Sequence, residues 1–292
     1  MNQQDLATLI AQRIDSQFET SKFFFEDCQK IKYFYIDDLL PISVARQIFS
    51  SFPKKETMLL RKDLREFKYM TAQMNLVAPI LEELVFAFHD PQVVQRIAQI
   101  TGIASLIPDP ELYAGGITLM PEGGFMNPHI DNSHDRDRRN YRVLNLLYYV
   151  TPDWQTCDGG NFELWPDGLK RPPIEITSCF NRLLVMLSTP QSLHSVNTVK
   201  TDRERCCVVN YYFSPVAPHL NGDRYYQSTS FRGRPKQWLR DAALRVDGKL
   251  RTTGRQILDP LFKRRILQNP HFYNPSIANP SVSAAEGTDP LG

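Results

Sequence analysis

The sequence predicts a mainly β fold: a jelly-roll core of two packed sheets, with helices before and after it. From about Tyr113 the chain breaks into short apolar segments, at 113–120, 125–130, 142–150, 161–165, 173–177, 182–189, 193–196 and 205–213. Val, Ile, Tyr and Phe are frequent in them, as strands prefer, and Gly, Pro, Asp and Asn separate them, as turns require. Such a series suits an antiparallel double-sheet jelly roll. As elements alone, these segments would equally suit an immunoglobulin-like sandwich.

The flanks read differently. The first hundred residues are expected to be mainly helical, with apolar residues at helical spacing over 4–20. Ile42–Phe52 follows Pro41, a residue suited to a first helical turn. Asn75–Phe88 and Gln92–Ile100 are two further helical runs parted by Asp90–Pro91, and Tyr33–Tyr35 is a short strand candidate. After Pro218 the chain reads as helical again, over Pro235–Leu244 and Gly254–Leu267. Asn269–Gly292 combines proline with Ser, Asn and Gly and reads as a flexible tail. The expected organisation is a helical support over 1–112, a core over 113–218, a helical extension over 219–268 and the tail over 269–292.

Composition narrows the function classes. A hydrophobic content of 42% supplies a sizeable core, and a net charge of +2 lacks the basic excess of a nucleic-acid binder. The basic clusters Arg136–Arg139 and Lys263–Arg265 read as solvated surface. The five cysteines contain no CxxC pair, which fits reduced thiols in a cytoplasmic protein. Neither a signal peptide nor a membrane-length apolar run is apparent.

One motif carries chemistry. In FMNPHIDNSH, His129 and Asp131 are two residues apart, so on an extended strand they face the same side. A third ligand must come from elsewhere, and His194 opens a later strand candidate. Two imidazoles and a carboxylate covering one face of an octahedron leave three positions open, the arrangement suited to Fe(II) oxygen chemistry. An isolated HxD is as readily a solvated loop histidine beside a turn aspartate, so its surroundings matter.

Those surroundings resemble a known family. YRVLNLLYYVTPDWQTCDGGNFELWPDG (141–168), FNRLLVMLSTPQSLHSV (180–196) and RCCVVNYYFSP (205–215) follow in one unbroken order. They resemble the prolyl-4-hydroxylase and prolyl-hydroxylase-domain branch of the Fe(II)/2-oxoglutarate-dependent dioxygenases. The resemblance covers roughly residues 113–216 and implies a double-stranded β-helix core. It implies His129, Asp131 and His194 as iron ligands, Arg205 as the grip on the distal carboxylate of 2-oxoglutarate, and Tyr149 as that carboxylate's second support. A guanidinium suits the grip because its planar fork donates two parallel hydrogen bonds. The implied cofactors and cosubstrates are Fe(II), 2-oxoglutarate and O2, with ascorbate as a stimulant. The implied reaction oxidises a C–H bond and releases succinate and CO2. A carboxylate at Asp131 favours hydroxylation over halogenation, because related halogenases carry a small residue there.

Two departures from the family pattern stand out. His194 and Arg205 are separated by a slightly longer loop than in close relatives, which makes Arg203 a rival anchor, and Met120 replaces a tyrosine that contacts 2-oxoglutarate. The expected substrate is a small or amino-acid-like molecule. A prolyl-type protein substrate and a non-catalytic metal-binding jelly roll are the alternatives.

The remaining features read plainly. Gly159–Gly160 is a tight turn without phosphate-loop context, Trp154 and Trp165 are packing residues, and Cys206 and Cys207 alternate to opposite faces of a strand. Residues 132–140 are a candidate substrate lid, and His134 within them reads as a loop residue.

Overall fold

The structure, a computed structural model, describes residues 1–216, 227–262 and 271–277. Helices α1 (Gln3–Ser16) and α2 (Phe18–Asp27) lead into strand β1 (Tyr33–Ile36) and helix α3 (Ile42–Ser50). A hairpin of β2 (Leu59–Lys62) and β3 (Glu66–Thr71) precedes α4 (Pro79–Ala87), α5 (Pro91–Thr101) and the short β4 (Ile107–Pro108). The core strands are β5 (Gly116–Met120), β6 (Phe125–Ile130), β7 (Tyr141–Tyr149), β8 (Phe162–Leu164), β9 (Ile174–Ile176), β10 (Arg182–Leu187), β11 (His194–Val196) and β12 (Arg205–Ser214). A two-residue strand β13 (Ser230–Phe231) and helix α6 (Trp238–Phe262) follow.

Each of the expected core strand segments is present, and they curl into a jelly roll. The strand order is β1-β10-β7-β12-β5-β3-β6-β11-β8-β9. The major sheet runs from β1 to β5 and the minor sheet from β6 to β9, with β3 joining them. β3 pairs Tyr69–Thr71 with β5 and Glu66–Phe67 with β6, so one strand closes the side of the roll. That hairpin interrupts a first hundred residues that are otherwise mainly helical, as expected. Its turn is locally specified, since the Asp63 carboxylate accepts hydrogen bonds from the backbone of Arg65 and Glu66. Its strand character comes from the edges it pairs with.

Alternation along the long strands makes two cores. Leu144, Leu146 and Tyr148 of β7, with Val208 and Tyr212 of β12, pack outward against α1, α4 and α5. Tyr149, Cys207 and Val209 face inward with Met120, Phe162 and Leu164. Because both faces are buried, β7 reads as an almost unbroken apolar run.

The helix boundaries differ from expectation in physically simple ways. The run over 4–20 breaks at Gln17, so that α1 packs on α4 and α5 while α2 turns to β1, where Phe25 meets Phe34 edge-on. α4 begins at Pro79 because the residue before a proline is driven extended, as Ala78 is. Asp90 caps α5, accepting from Gln92 N at 2.9 Å. The two C-terminal helical segments are one helix over Trp238–Phe262, and residues 263–267 lie outside the described residues. Of the expected tail, 271–277 lie against the core, with Tyr273 N donating to Glu111 O at 2.6 Å and Ala114 N to His271 O at 3.4 Å. The rest of that segment lies outside the described residues. Among the described residues no helix is long and apolar enough to cross a membrane.

Candidate metal centre

The minor sheet aligns the first two candidate ligands. His129 near the end of β6 is the direct cross-strand partner of His194, the first residue of β11. Facing residues on antiparallel strands project to the same side, so the two imidazoles meet with ring centroids 4.2 Å apart. Asp131 lies just beyond the end of β6, on the same face as His129. Its Oδ1 is 3.5 Å from His129 Nε2 and its Oδ2 is 3.5 Å from His194 Nε2. All three residues are buried, and one ligand atom from each falls within 4.8 Å of the others.

The rings are aimed from behind. His129 Nδ1 lies 2.9 Å from Asn127 O, and His194 Nδ1 lies 2.8 Å from Ser192 O. A carbonyl only accepts, so each Nδ1 carries the proton and each Nε2 presents its lone pair to the common centre. Phe231 stacks on His129 at 4.9 Å and Phe162 on His194 at 5.3 Å. Burial, reinforced by the neighbouring His129, lowers the His194 pKa to about 4, so it is neutral at physiological pH. Burial works to protonate Asp131, but the imidazoles beside it and the Arg142 guanidinium outweigh that effect and hold the carboxyl below the usual range. Neutral imidazoles and an ionised carboxylate are the protonation states that divalent metals require.

The cavity continues from these residues between the sheets, past Met120, Leu147 and Cys207, to Arg205. Arg205, the first residue of β12 and the partner of Met120, is 3% exposed. Its Nε donates to Ser178 Oγ at 2.9 Å and its guanidinium lies over the Tyr149 ring at 4.7 Å. Among the described residues no carboxylate pairs with it. Among the described residues no hydrogen bond of good geometry reaches the buried Tyr149 hydroxyl, although Ser178 and Arg205 lie close enough to act on it, and burial raises its pKa, so it remains a donor. A buried cation and a buried hydroxyl left open at one end of a cavity fit an incoming carboxylate. Gly160 makes room for that end: its φ is +64°, and a Cβ there would lie 2.7 Å from Arg205 Cδ.

The other sequence candidates lie elsewhere. Arg203 turns outward to Asp158 and to the carbonyls of Pro152 and Asp153. His134 bridges to Tyr141 and lies outside the metal group. Trp154 and Trp165 are buried packing residues whose indoles donate to Gly159 O and Ser195 Oγ. Sequence reasoning missed Asn145, whose Nδ2 donates to Asp131 Oδ2 at 2.6 Å. It also missed Ser178 behind Arg205, Lys68 on the cavity wall, and the buried Arg142 stacked on Tyr211 at 3.8 Å. For Asn145 a signal was available, since it shares the inward alternation of Leu147 and Tyr149.

Comparison with known proteins agrees with this geometry. Residues 115–213 match the family model of the 2OG-Fe(II) oxygenase superfamily. A search of curated proteins gives no match. Among solved structures, a Pseudomonas putida prolyl-4-hydroxylase aligns with a TM-score of 0.51 at 17% identity, over 71% of this chain and 100% of that one. The non-haem α-ketoglutarate-dependent carbocyclase SnoK from nogalamycin biosynthesis aligns with a TM-score of 0.52 at 13% identity, over 77% of this chain and 90% of that one. At such identities the two neighbours establish the shared jelly roll. The matched oxygenase core includes all three candidate ligands, Tyr149 and Arg205.

Proposed function

We propose that this 2OG-Fe(II) oxygenase hydroxylates a C–H bond of a small or amino-acid-like substrate, with Fe(II) held by His129, Asp131 and His194. The observation that carries the reading is one cavity with a two-imidazole, one-carboxylate face and, on its lining, a buried Arg205 that no carboxylate pairs with among the described residues, stacked on Tyr149. In this reading Arg205 and Tyr149 hold the distal carboxylate of 2-oxoglutarate. When bound, iron, 2-oxoglutarate and O2 supply the oxidising chemistry, with succinate and CO2 released. The chain's own part is to aim Nε2 of both histidines at the common centre, to orient the cosubstrate from its far end, and to exclude bulk water.

A small substrate is supported by the rim of the cavity. Ala114 and Lys68 on the cavity wall lie beside residues 271–277, which are tied to Glu111, Ala114 and Gln73. Arg136, from the candidate lid, pairs with Glu111 at 2.6 Å and stacks on Phe272 at 3.9 Å. These contacts hold the C-terminal segment and the candidate lid together beside the cavity wall, an arrangement that suits a small substrate better than an extended polypeptide.

The test is an anaerobic titration of the apoprotein with Fe(II) and then 2-oxoglutarate, followed by visible absorption. A charge-transfer band is expected in wild type and weakened in both Asp131→Ala and Arg205→Ala. Succinate release across a panel of free amino acids and peptides then separates the substrate classes. No band from folded, metal-loaded wild type sinks the reading.

A further inference from the structure

Asn145 lies in the middle of β7, between its cross-strand partners Met186 on β10 and Tyr211 on β12. Its side chain points into the lumen and is 3% exposed. The single hydrogen bond made by its amide crosses the roll to the opposite sheet, where Nδ2 donates to Asp131 Oδ2 at 2.6 Å. The other half of the amide, Oδ1, is buried without a partner among the described residues.

This pattern argues against a purely structural role. A side chain placed to stabilise the fold would satisfy both halves of its amide, because a buried acceptor without a donor is unfavourable. Asn145 instead spends its one bond on the candidate metal carboxylate. The direction of the amide is fixed as well, since an ionised carboxylate accepts only and a flipped amide would set oxygen against oxygen. Asp131 itself lies just past the end of β6, beyond the pairing that fixes His129 and His194. The two histidines are aimed by Asn127 and Ser192 carbonyls, whereas Asp131 receives its side-chain hydrogen bond from the major sheet.

We propose that Asn145 is the positioning residue for Asp131: its amide, bonded to Oδ2, sets the rotation of the carboxylate at the metal face. The proposal rests on the reading of His129, Asp131 and His194 as metal ligands. Outer hydrogen bonds of this kind typically change metal affinity by about 10–100-fold when removed.

The experiment titrates the full-length apoprotein with Co(II), whose visible spectrum reports ligand geometry, in wild type, Asn145→Leu, Asp131→Ala and the double variant. Leucine matches asparagine in size, and Asn145→Ser serves as the second variant should Asn145→Leu fail to fold by circular dichroism. The expected result is an affinity loss of about 10–100-fold with an altered Co(II) spectrum in Asn145→Leu, and no further loss when Asp131 is already alanine. That coupling is the readout a merely structural role would not give. Affinity within about twofold of wild type, or an equal loss in the Asp131→Ala background, overturns the proposal and leaves the metal reading standing. No Co(II) binding by folded wild type overturns the metal reading, and the role of Asn145 falls with it.

Discussion

The two ends of the lumen are built differently. At the candidate metal end, short strands of the minor sheet position the candidate ligands, and each histidine is fixed twice, by a carbonyl behind the ring and an aromatic face beside it. At the closed end, the termini of the two long strands of the major sheet supply Arg205 and Tyr149, whose polar groups are only partly satisfied. The contrast follows from what each end must bind. A metal imposes angles, so its ligands have to be aimed before it arrives. A carboxylate asks mainly for charge and donors, and leaving these open in a buried site favours whatever satisfies them.

The sharpest way to break this comparison is Arg205→Ala. Removing one partner of a buried charge pair costs about 3–5 kcal/mol in binding, so 2-oxoglutarate affinity should fall by roughly a thousandfold. Co(II) affinity, set at the other end, should stay within about threefold of wild type. Isothermal titration of each ligand separates the two, and a parallel loss of both would show that the ends are not independent.

Acid stability probes the buried imidazoles, one at the metal end and two elsewhere. His194 and His89 are both lowered to about 4, chiefly by burial, as is His271. Between pH 6.5 and 4 the unfolded chain therefore binds protons that the fold excludes, and the apoprotein loses stability as pH falls through that window. Asp109 acts in the opposite sense. Burial raises it to about 6, so its contribution is present at low pH and lost as pH rises through 6. One carboxyl does not offset three histidines. Unfolding midpoints in urea should drop between pH 7 and 4.5, and His89→Gln should remove up to about 3 kcal/mol of that slope. A flat profile would contradict the burial of these imidazoles.

Gly160→Ala tests the room left for Arg205. A positive φ and a Cβ 2.7 Å from Arg205 Cδ should together destabilise the fold by about 1–3 kcal/mol. 2-Oxoglutarate binding should weaken about tenfold, with metal binding retained. Unchanged cosubstrate affinity would mean that Arg205 is not held in the position it needs.

Tyr149→Phe is the gentlest change and has the most telling sign. It deletes a hydroxyl that makes no hydrogen bond of good geometry among the described residues, so thermal stability should hold or rise while 2-oxoglutarate affinity falls about three- to tenfold. A loss of stability instead would show that the hydroxyl serves the fold.

Much of this was legible in the chain. The β7 segment YRVLNLLYY announces a strand buried on both faces, and turn residues separate it from its neighbours. The two-residue spacing of His129 and Asp131 fixes their common side. The β2–β3 hairpin was hidden because its strands, LLRK and EFKYMT, carry charges and exposed positions and show no clean alternation. Their pairing partners lie about fifty residues on, at 117–119 and 125–126. Arg203 and Arg205 could not be ranked by composition, since both are arginines ahead of an apolar run. Strand register turns one into the lumen and the other to Asp158.

The sequence by itself determined the strands, their inward and outward faces, and the residue types that a metal and a carboxylate would need. Those properties follow from periodicity and side-chain chemistry, both local. Tertiary structure decided which residues meet: His129 across from His194, Arg205 beneath Tyr149, Asn145 reaching over the lumen to Asp131. Such contacts join residues 14 to 65 positions apart (145 − 131 and 194 − 129), and only the register of antiparallel strands and the curl of the sheet bring them within reach.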